Sequence, residues 1–139
     1  MEPLSEVMPI KAACEAVVLS FFHALDTRRH DAAAALMAED GVWMRQGRKL
    51  SGPHEVLAAL EARAPERSTC HVITNLRLVS TDRTHATVGY FLTAYESVPQ
   101  EQGGAPRLVS IRECQDVLVA TKEGWRLADK SSRRHLPPE

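Results

Sequence analysis

Three observations predict an α+β domain. Apolar residues in the first third of the chain recur at helical spacing. The segments after Arg67 are rich in β-branched and apolar residues at strand spacing. Most of the breaks between those later segments are short, as antiparallel neighbours require. Helices followed by long strands argue for a layered α+β arrangement and against a parallel doubly wound sheet. At 139 residues the chain fits a single domain, 1–139, with an ordered core expected over about 10–130.

From Ile10, Ala13, Val17, Phe21 and Leu25 form one stripe with Val18 and Phe22 beside it, which predicts an amphipathic helix to about Thr27. Pro3 and Pro9 interrupt any earlier helix, so residues 1–9 are expected to be loosely ordered. An alanine-rich helix follows over Asp31–Ala38. Asp40-Gly41 signals a turn and Val42–Arg45 a short strand, and Gly47 separates off a second extended piece ending at Leu50. Ser51-Gly52-Pro53 opens a third helix, with Val56, Leu57 and Leu60 on its apolar side and Ala64-Pro65 at its end.

Four extended runs complete the chain: Thr69–Ser80, Thr84–Val98, Arg107–Thr121 and Trp125–Lys130. Asp82-Arg83 and Lys122-Glu123-Gly124 are tight connections, and Pro99–Pro106 is a longer loop containing Gly103-Gly104. Long strands twist, so the sheet is expected to curl, and helices on its concave side would leave a cone-shaped cavity.

A hydrophobic fraction of 44% with 25% charged residues is ordinary for a soluble globular protein. A net charge of -1 offers no broad attraction to nucleic acid. No apolar run approaches ~20 residues, so no membrane span is expected. Glu2 and Glu6 stand where a secretion signal would be positive. Cys14, Cys70 and Cys114 are odd in number and scattered, which fits a reducing cytoplasm better than a disulfide framework. The sequence has no HExxH motif, no phosphate-cradling glycine loop and no nucleophile elbow, so neither metal nor cofactor is expected. The basic run Lys130, Arg133, Arg134 and His135 reads as a solvated terminus.

Two ionisable residues invite a mechanism. His71 lies on the strand Thr69–Asn75, and Asp26 ends the first helical pattern. They can meet only if that helix packs across the sheet. In strict alternation His71, Ile73, Asn75 and Arg77 share one face, while Cys70, Val72, Thr74, Leu76 and Leu78 share the other, more apolar one. A β-bulge near Thr74-Asn75 would turn His71 inward and still bring the later leucines to the core. The bland alternative has Asp26 bonding the turn at Thr27 and Arg28 and His71 bonding a neighbouring strand or a subunit contact.

The order of several motifs resembles the nuclear transport factor 2-like superfamily, in particular its SnoaL-like branch, over about residues 10–130. The matching pieces are Phe22-His23-Ala24-Leu25-Asp26 followed by Asp31, Met37-Ala38-Glu39-Asp40-Gly41, and Leu50-Ser51-Gly52-Pro53. The strand Cys70-His71-Val72-Ile73-Thr74-Asn75 and the closing Asp116-Val117-Leu118 and Gly124-Trp125-Arg126-Leu127 complete the pattern. The resemblance implies a curved antiparallel sheet wrapped around three helices into a cone, the cystatin-like α+β roll.

By motif position Asp26 and His71 look similar to the catalytic pair of dehydratase-like members, which implies proton abstraction beside a carbonyl or loss of water. Histidine suits this work because its unperturbed pKa lies near 6.5. Trp43 and Tyr90 are expected to wall the cavity, with Tyr90 a candidate donor to a carbonyl oxygen. Cys114, also expected at the ligand, stands where relatives often carry a tyrosine.

The leading expectation is therefore a cofactor-independent enzyme of isomerase, dehydratase or cyclase type. It would act on a small apolar carbonyl or hydroxylated molecule. The alternatives are a noncatalytic ligand-binding or assembly module and a small-subunit relative of ring-hydroxylating dioxygenases. A homodimer through the outer sheet face is expected in every case.

Overall fold

In the computed structural model, which describes residues 3–139, helices α1 (Leu4–Asp26) and α2 (His30–Ala34) lead into β1 (Met37–Arg45) and β2 (Arg48–Ser51). Helix α3 (Gly52–Glu61) follows, and then β3 (Ser68–Thr81), β4 (His85–Ser97), β5 (Arg107–Thr121) and β6 (Gly124–Leu136). The strands form one curved, unclosed sheet in the order β2-β1-β6-β5-β4-β3. The expected α+β class is therefore what the chain adopts. Strands β3 to β6 make an antiparallel meander, and β1 pairs antiparallel with β2. The β1–β6 pair is parallel, so the sheet is mixed rather than wholly antiparallel. A parallel pair needs a long crossover, and here the whole of β2 to β5 lies between its two members.

The buried stripe of α1 is Cys14, Val18, Phe21 and Leu25, with Phe22 and Ala24 beside it. These side chains join Val56 and Leu60 of α3 and Val88, Tyr90, Leu92, Leu118 and Leu127 of the sheet in one core. By length and composition alone α1 could cross a membrane. In this fold one side of it is the central helix of the core.

Several boundaries differ from the sequence reading. Helix α1 starts at Leu4 and runs through Pro9. The Pro3 carbonyl accepts from the N–H groups of Glu6 (2.9 Å) and Val7 (3.1 Å) and so opens the helix early. A proline so near the exposed end forfeits one hydrogen bond at little packing cost. The part of that expectation concerning residues 1 and 2 lies outside the described residues. Helix α2 stops at Ala34, and β1 begins at Met37, well before Val42.

Asp40-Gly41 is not a turn. It lies inside β1, where the register against β6 shifts between Met37↔Leu127 and Val42↔Asp129. A Cβ on Gly41 would overlap the Leu127 carbonyl oxygen and stand 3.0 Å from that of Ala38, so the close approach of β1 and β6 requires glycine. The final strand continues to Leu136, pairing Lys130 with Asp116 and Arg133 with Glu113. The basic run is thus strand rather than a loose terminus, because β5 offers a partner along its whole length; Lys130 is buried in it, while Arg133, Arg134 and His135 stay exposed as expected.

Candidate active site

The site begins with a break in β3. Its register against β4 shifts between Thr74 and Arg77, and Asn75 takes a left-handed conformation (φ 58°). Asparagine tolerates that region better than most residues with a Cβ. The extra residue changes the phase of the strand, so Ile73 and then Leu76 and Leu78 all pack against the core. His71 shares the inward phase of Ile73.

Helix α1 ends over this face of β3 and delivers Asp26 to His71. The carboxylate collects three donors, all from β3. His71 Nδ1 lies 2.6 Å from Asp26 Oδ1, the His71 backbone N–H donates to Oδ2 at 2.7 Å, and the Thr69 hydroxyl donates to Oδ1 at 2.8 Å. The turn residues Thr27 and Arg28 bond elsewhere: Thr27 Oγ1 donates to the His23 carbonyl, and Arg28 to the carbonyls of Ala64 and Arg67. The bland reading of Asp26 as a turn-bonding residue is thereby excluded by geometry.

Burial pushes the Asp26 carboxyl upward. The side-chain and backbone hydrogen bonds and the charge of His71, with the Thr69 hydroxyl, outweigh it and hold the group below its ordinary value. An ionised carboxylate only accepts, so the hydrogen-bond pattern assigns the shared proton to Nδ1. His71 Nε2 has no hydrogen-bond partner among the described residues. The two side chains are only 14% and 16% exposed, so solvent screens this interaction weakly.

His71 lines a cavity of about 410 Å³ between α1 and the sheet, with Phe22, Leu25, Trp43, Tyr90 and Leu92 among its apolar walls. The Phe22 ring lies against the imidazole, centroid to centroid 5.1 Å. Trp43, Tyr90 and Cys114, all expected at a ligand, do line this space, and Asp26 stands behind His71. Burial pushes the Cys114 thiol up to about 11, which makes it a wall rather than a nucleophile. Among the described residues no three or more His, Cys, Asp or Glu side chains form a metal-binding group.

A second polar group, not foreseen, sits at the same cavity. The Tyr90 hydroxyl donates to Asp116 Oδ2 (2.7 Å), and Lys130 Nζ donates to both Tyr90 Oη (3.1 Å) and Asp116 Oδ2 (2.8 Å). Asp116 and Lys130 are 1% and 3% exposed. Burial first, and then the Asp116 charge, hold the Tyr90 phenol well above its usual range, so it stays protonated. Its hydrogen points at Asp116, and the expected donation from Tyr90 to a ligand carbonyl is not available in this arrangement. Lys130 still holds one N–H, and its Nζ stands 4.7 Å from the Phe22 ring centroid and 4.8 Å from that of Phe21.

Asp116 carried a usable signal, because it keeps the phase of the buried Cys114 on a strand with an apolar inner face. Lys130 did not, because the β5–β6 register shifts between Val117 and Leu118. Arg45, Arg63 and Arg67, which also line the cavity, converge from β1, the end of α3 and the loop before β3, and no spacing in the sequence reveals that.

Residues 7–130 match the SnoaL-like domain. The chain belongs to the SnoaL-like domain family. Solved structures of the same fold include a "Putative Scytalone Dehydratase" from Novosphingobium aromaticivorans, with a TM-score of 0.84 and 18% identity, covering 95% of this chain and 88% of that one. An NTF2-like protein with a cystatin-like fold from the same organism has a TM-score of 0.80 at 14% identity over 97% and 92% of the two chains. ActVI-ORFA from Streptomyces coelicolor reaches 0.77 at 19% identity over 91% and 98%. At these identities the likeness shows the fold alone. No curated protein matches this SnoaL-like chain by sequence.

Proposed function

We propose that this SnoaL-like protein is a cofactor-independent proton-transfer enzyme of isomerase, dehydratase or cyclase type, with His71 as the base. One observation carries the reading. An imidazole held by an ionised carboxylate at 2.6 Å lines a cavity large enough for a small carbonyl or hydroxylated molecule, and its other nitrogen has no partner among the described residues. His71 Nε2 takes a proton from the carbon beside a carbonyl, and Asp26 stabilises the imidazolium that results. Lys130 offers its remaining N–H to the oxygen on which negative charge develops. The proton then returns to carbon in an isomerisation or leaves with hydroxide as water in a dehydration. The relative named as a scytalone dehydratase is consistent with this class. A closed interior with Asp26 and His71 far apart would favour a noncatalytic module; the bonded pair beside an open cavity supports the enzymatic reading instead.

Exchange of the α-hydrogens of 2-tetralone in D₂O, followed by NMR, tests the base directly. The wild type should accelerate exchange, and His71→Asn, which keeps a donor toward Asp26, should lose about 10²–10⁴-fold of that acceleration. Equal rates for the two proteins would remove His71 from the chemistry.

A homodimer through the face of the sheet away from the helices is proposed as well. Val72, Tyr95 and Leu108 are exposed there, and Tyr95 and Leu108 are cross-strand partners. Light scattering that gives a monomer mass at working concentration would contradict it.

A further inference from the structure

The cavity carries far more positive charge than the dyad needs. Its lining includes Arg45, Arg63, Arg67, Arg112, Arg134 and Lys130, with Asp116 the only acidic residue among them. The chain as a whole has a net charge of -1, so this is a local concentration and not a reflection of composition. Only two of the six cations reach a carboxylate among the described residues: Lys130 on Asp116 and Arg67 on Glu96. Arg63 donates to the Leu25 carbonyl (3.2 Å) and the Thr69 hydroxyl (2.8 Å). Arg112 donates to Ser132, and Arg134 to the Pro137 carbonyl, although the two arginines stand directly opposite each other on β5 and β6. Like charges so placed repel.

Arg45 is the most telling of the set. It has no hydrogen bond to any described residue, and its guanidinium lies 5.5 Å from the Trp43 ring centroid at the cavity wall. Burial first, and then the charges of Arg67 and Arg48, lower its pKa. Burial and the charges of Arg67, Arg28 and Arg45 bring Arg63 down to about 10. Guanidinium groups that repel one another around a hollow are stabilised when an anion enters it.

We infer that the cavity takes a small apolar acid, its oxyanion held by Arg45 with Arg63 and Arg67 and its body laid between Trp43 and Phe22 toward His71. This rests on the cavity described for the proton-transfer reading and adds the substrate class to it. Guanidinium forks match the two oxygens of a carboxylate or a phosphate. Arg63 also touches Thr69, which bonds Asp26, so the oxyanion would be anchored beside the dyad. An anchored anion fixes the distance from the reacting carbon to Nε2, which a purely apolar ligand could not do.

Calorimetric titration with three probes of one ring system tests this: 2-naphthoate, 2-naphthyl phosphate and the neutral 2-naphthol. The wild type should bind one or both anions at least about tenfold more tightly than 2-naphthol. A carboxylate preference assigns a carboxylic acid and a phosphate preference a phosphate ester, and either supports an oxyanion site. Arg45→Gln should bring all three affinities within about threefold of each other, and raised salt should weaken only the anions. His71→Asn should keep the anion preference, so a failed base assignment and a failed anion site give different results. Equal wild-type affinity for 2-naphthol and both anions would overturn the inference. So would an anion preference that survives Arg45→Gln and Arg67→Gln alike.

Discussion

Replacing Asp26 with asparagine probes the site and the fold together. The carboxylate accepts from Thr69 Oγ1, the His71 backbone N–H and His71 Nδ1 at 2.6–2.8 Å. An amide keeps one accepting oxygen and turns an NH₂ toward one of these donors. One charge-assisted hydrogen bond is then lost and a half-buried donor is left unpaired, which costs about 2–3 kcal/mol at neutral pH. For a chain of this length that is roughly 6–12 °C in Tm.

The pH dependence gives the sharper test. The Asp26 carboxyl titrates below its ordinary value in the folded protein, so between the two values the unfolded chain binds more protons and stability rises with pH. The Asp26 contribution is fully present above the unfolded aspartate value of about 3.9 and is lost as pH falls through the lowered folded value. Other carboxylates held low by their own partners, such as Glu96 and Asp82, titrate alike in both proteins and cancel in the difference. Urea denaturation of wild type and Asp26→Asn should therefore show the full gap at pH 6.5 and a much smaller one near pH 2.5. Equal stability at pH 6.5, or a gap that does not shrink on acidification, would refute the ionised, three-donor carboxylate.

Lys130→Met should destabilise the fold by about 3–5 kcal/mol in chemical denaturation, because it strands Asp116, whose Oδ1 already has no partner. Removing both charges, as Lys130→Met with Asp116→Leu, should recover most of that loss. Asn75→Val should cost about 1–2 kcal/mol and reduce turnover with it, because a β-branched residue opposes the left-handed bulge that turns His71 inward; Asn75→Gly should be near neutral by both measures. Gly41→Ala should lower stability by about 2–3 kcal/mol by forcing β1 off the Leu127 carbonyl, whereas Gly89→Ala, which crowds the far end of Arg77 at 2.8 Å and meets Val79 at an ordinary 3.5 Å, should change Tm little.

The helices and the long strands were legible because each carries its own periodicity over ten or more residues. Phase was harder. Strict alternation placed His71 with Asn75 and Arg77, and only the left-handed turn at Asn75 separates them, a single-residue event that no window average detects. The β1–β6 contact was invisible for a related reason: Asp40-Gly41 has turn chemistry, and what overrides it is the distant Leu127 carbonyl. The dyad could be named from motif order, but its partner network could not, since Thr69 and Arg63 join it only once α3 and β3 are packed. Lys130 read as tail because six of the nine residues from Ser131 to the end are polar or charged. It is the register on β5 that buries it.

Asp26 occupies a position that its own helix opposes. A carboxylate at a helix C-terminus faces the negative end of the helix dipole, an unfavourable placement of about 0.3–1 kcal/mol. The fold reverses this from the other side. Thr69 and His71 of β3 supply three donors to the carboxylate, and Arg63 covers the Leu25 carbonyl, one of the last carbonyls of α1. Each of these groups comes from outside the helix, so the Asp26 carboxyl is held below its ordinary value only after α1, α3 and β3 have docked. Assembly of the tertiary structure and the lowering of the Asp26 titration are therefore coupled. A substitution that loosens α1 from β3, even far from the cavity, should raise the acid titration of Asp26 and loosen its hold on the His71 ring.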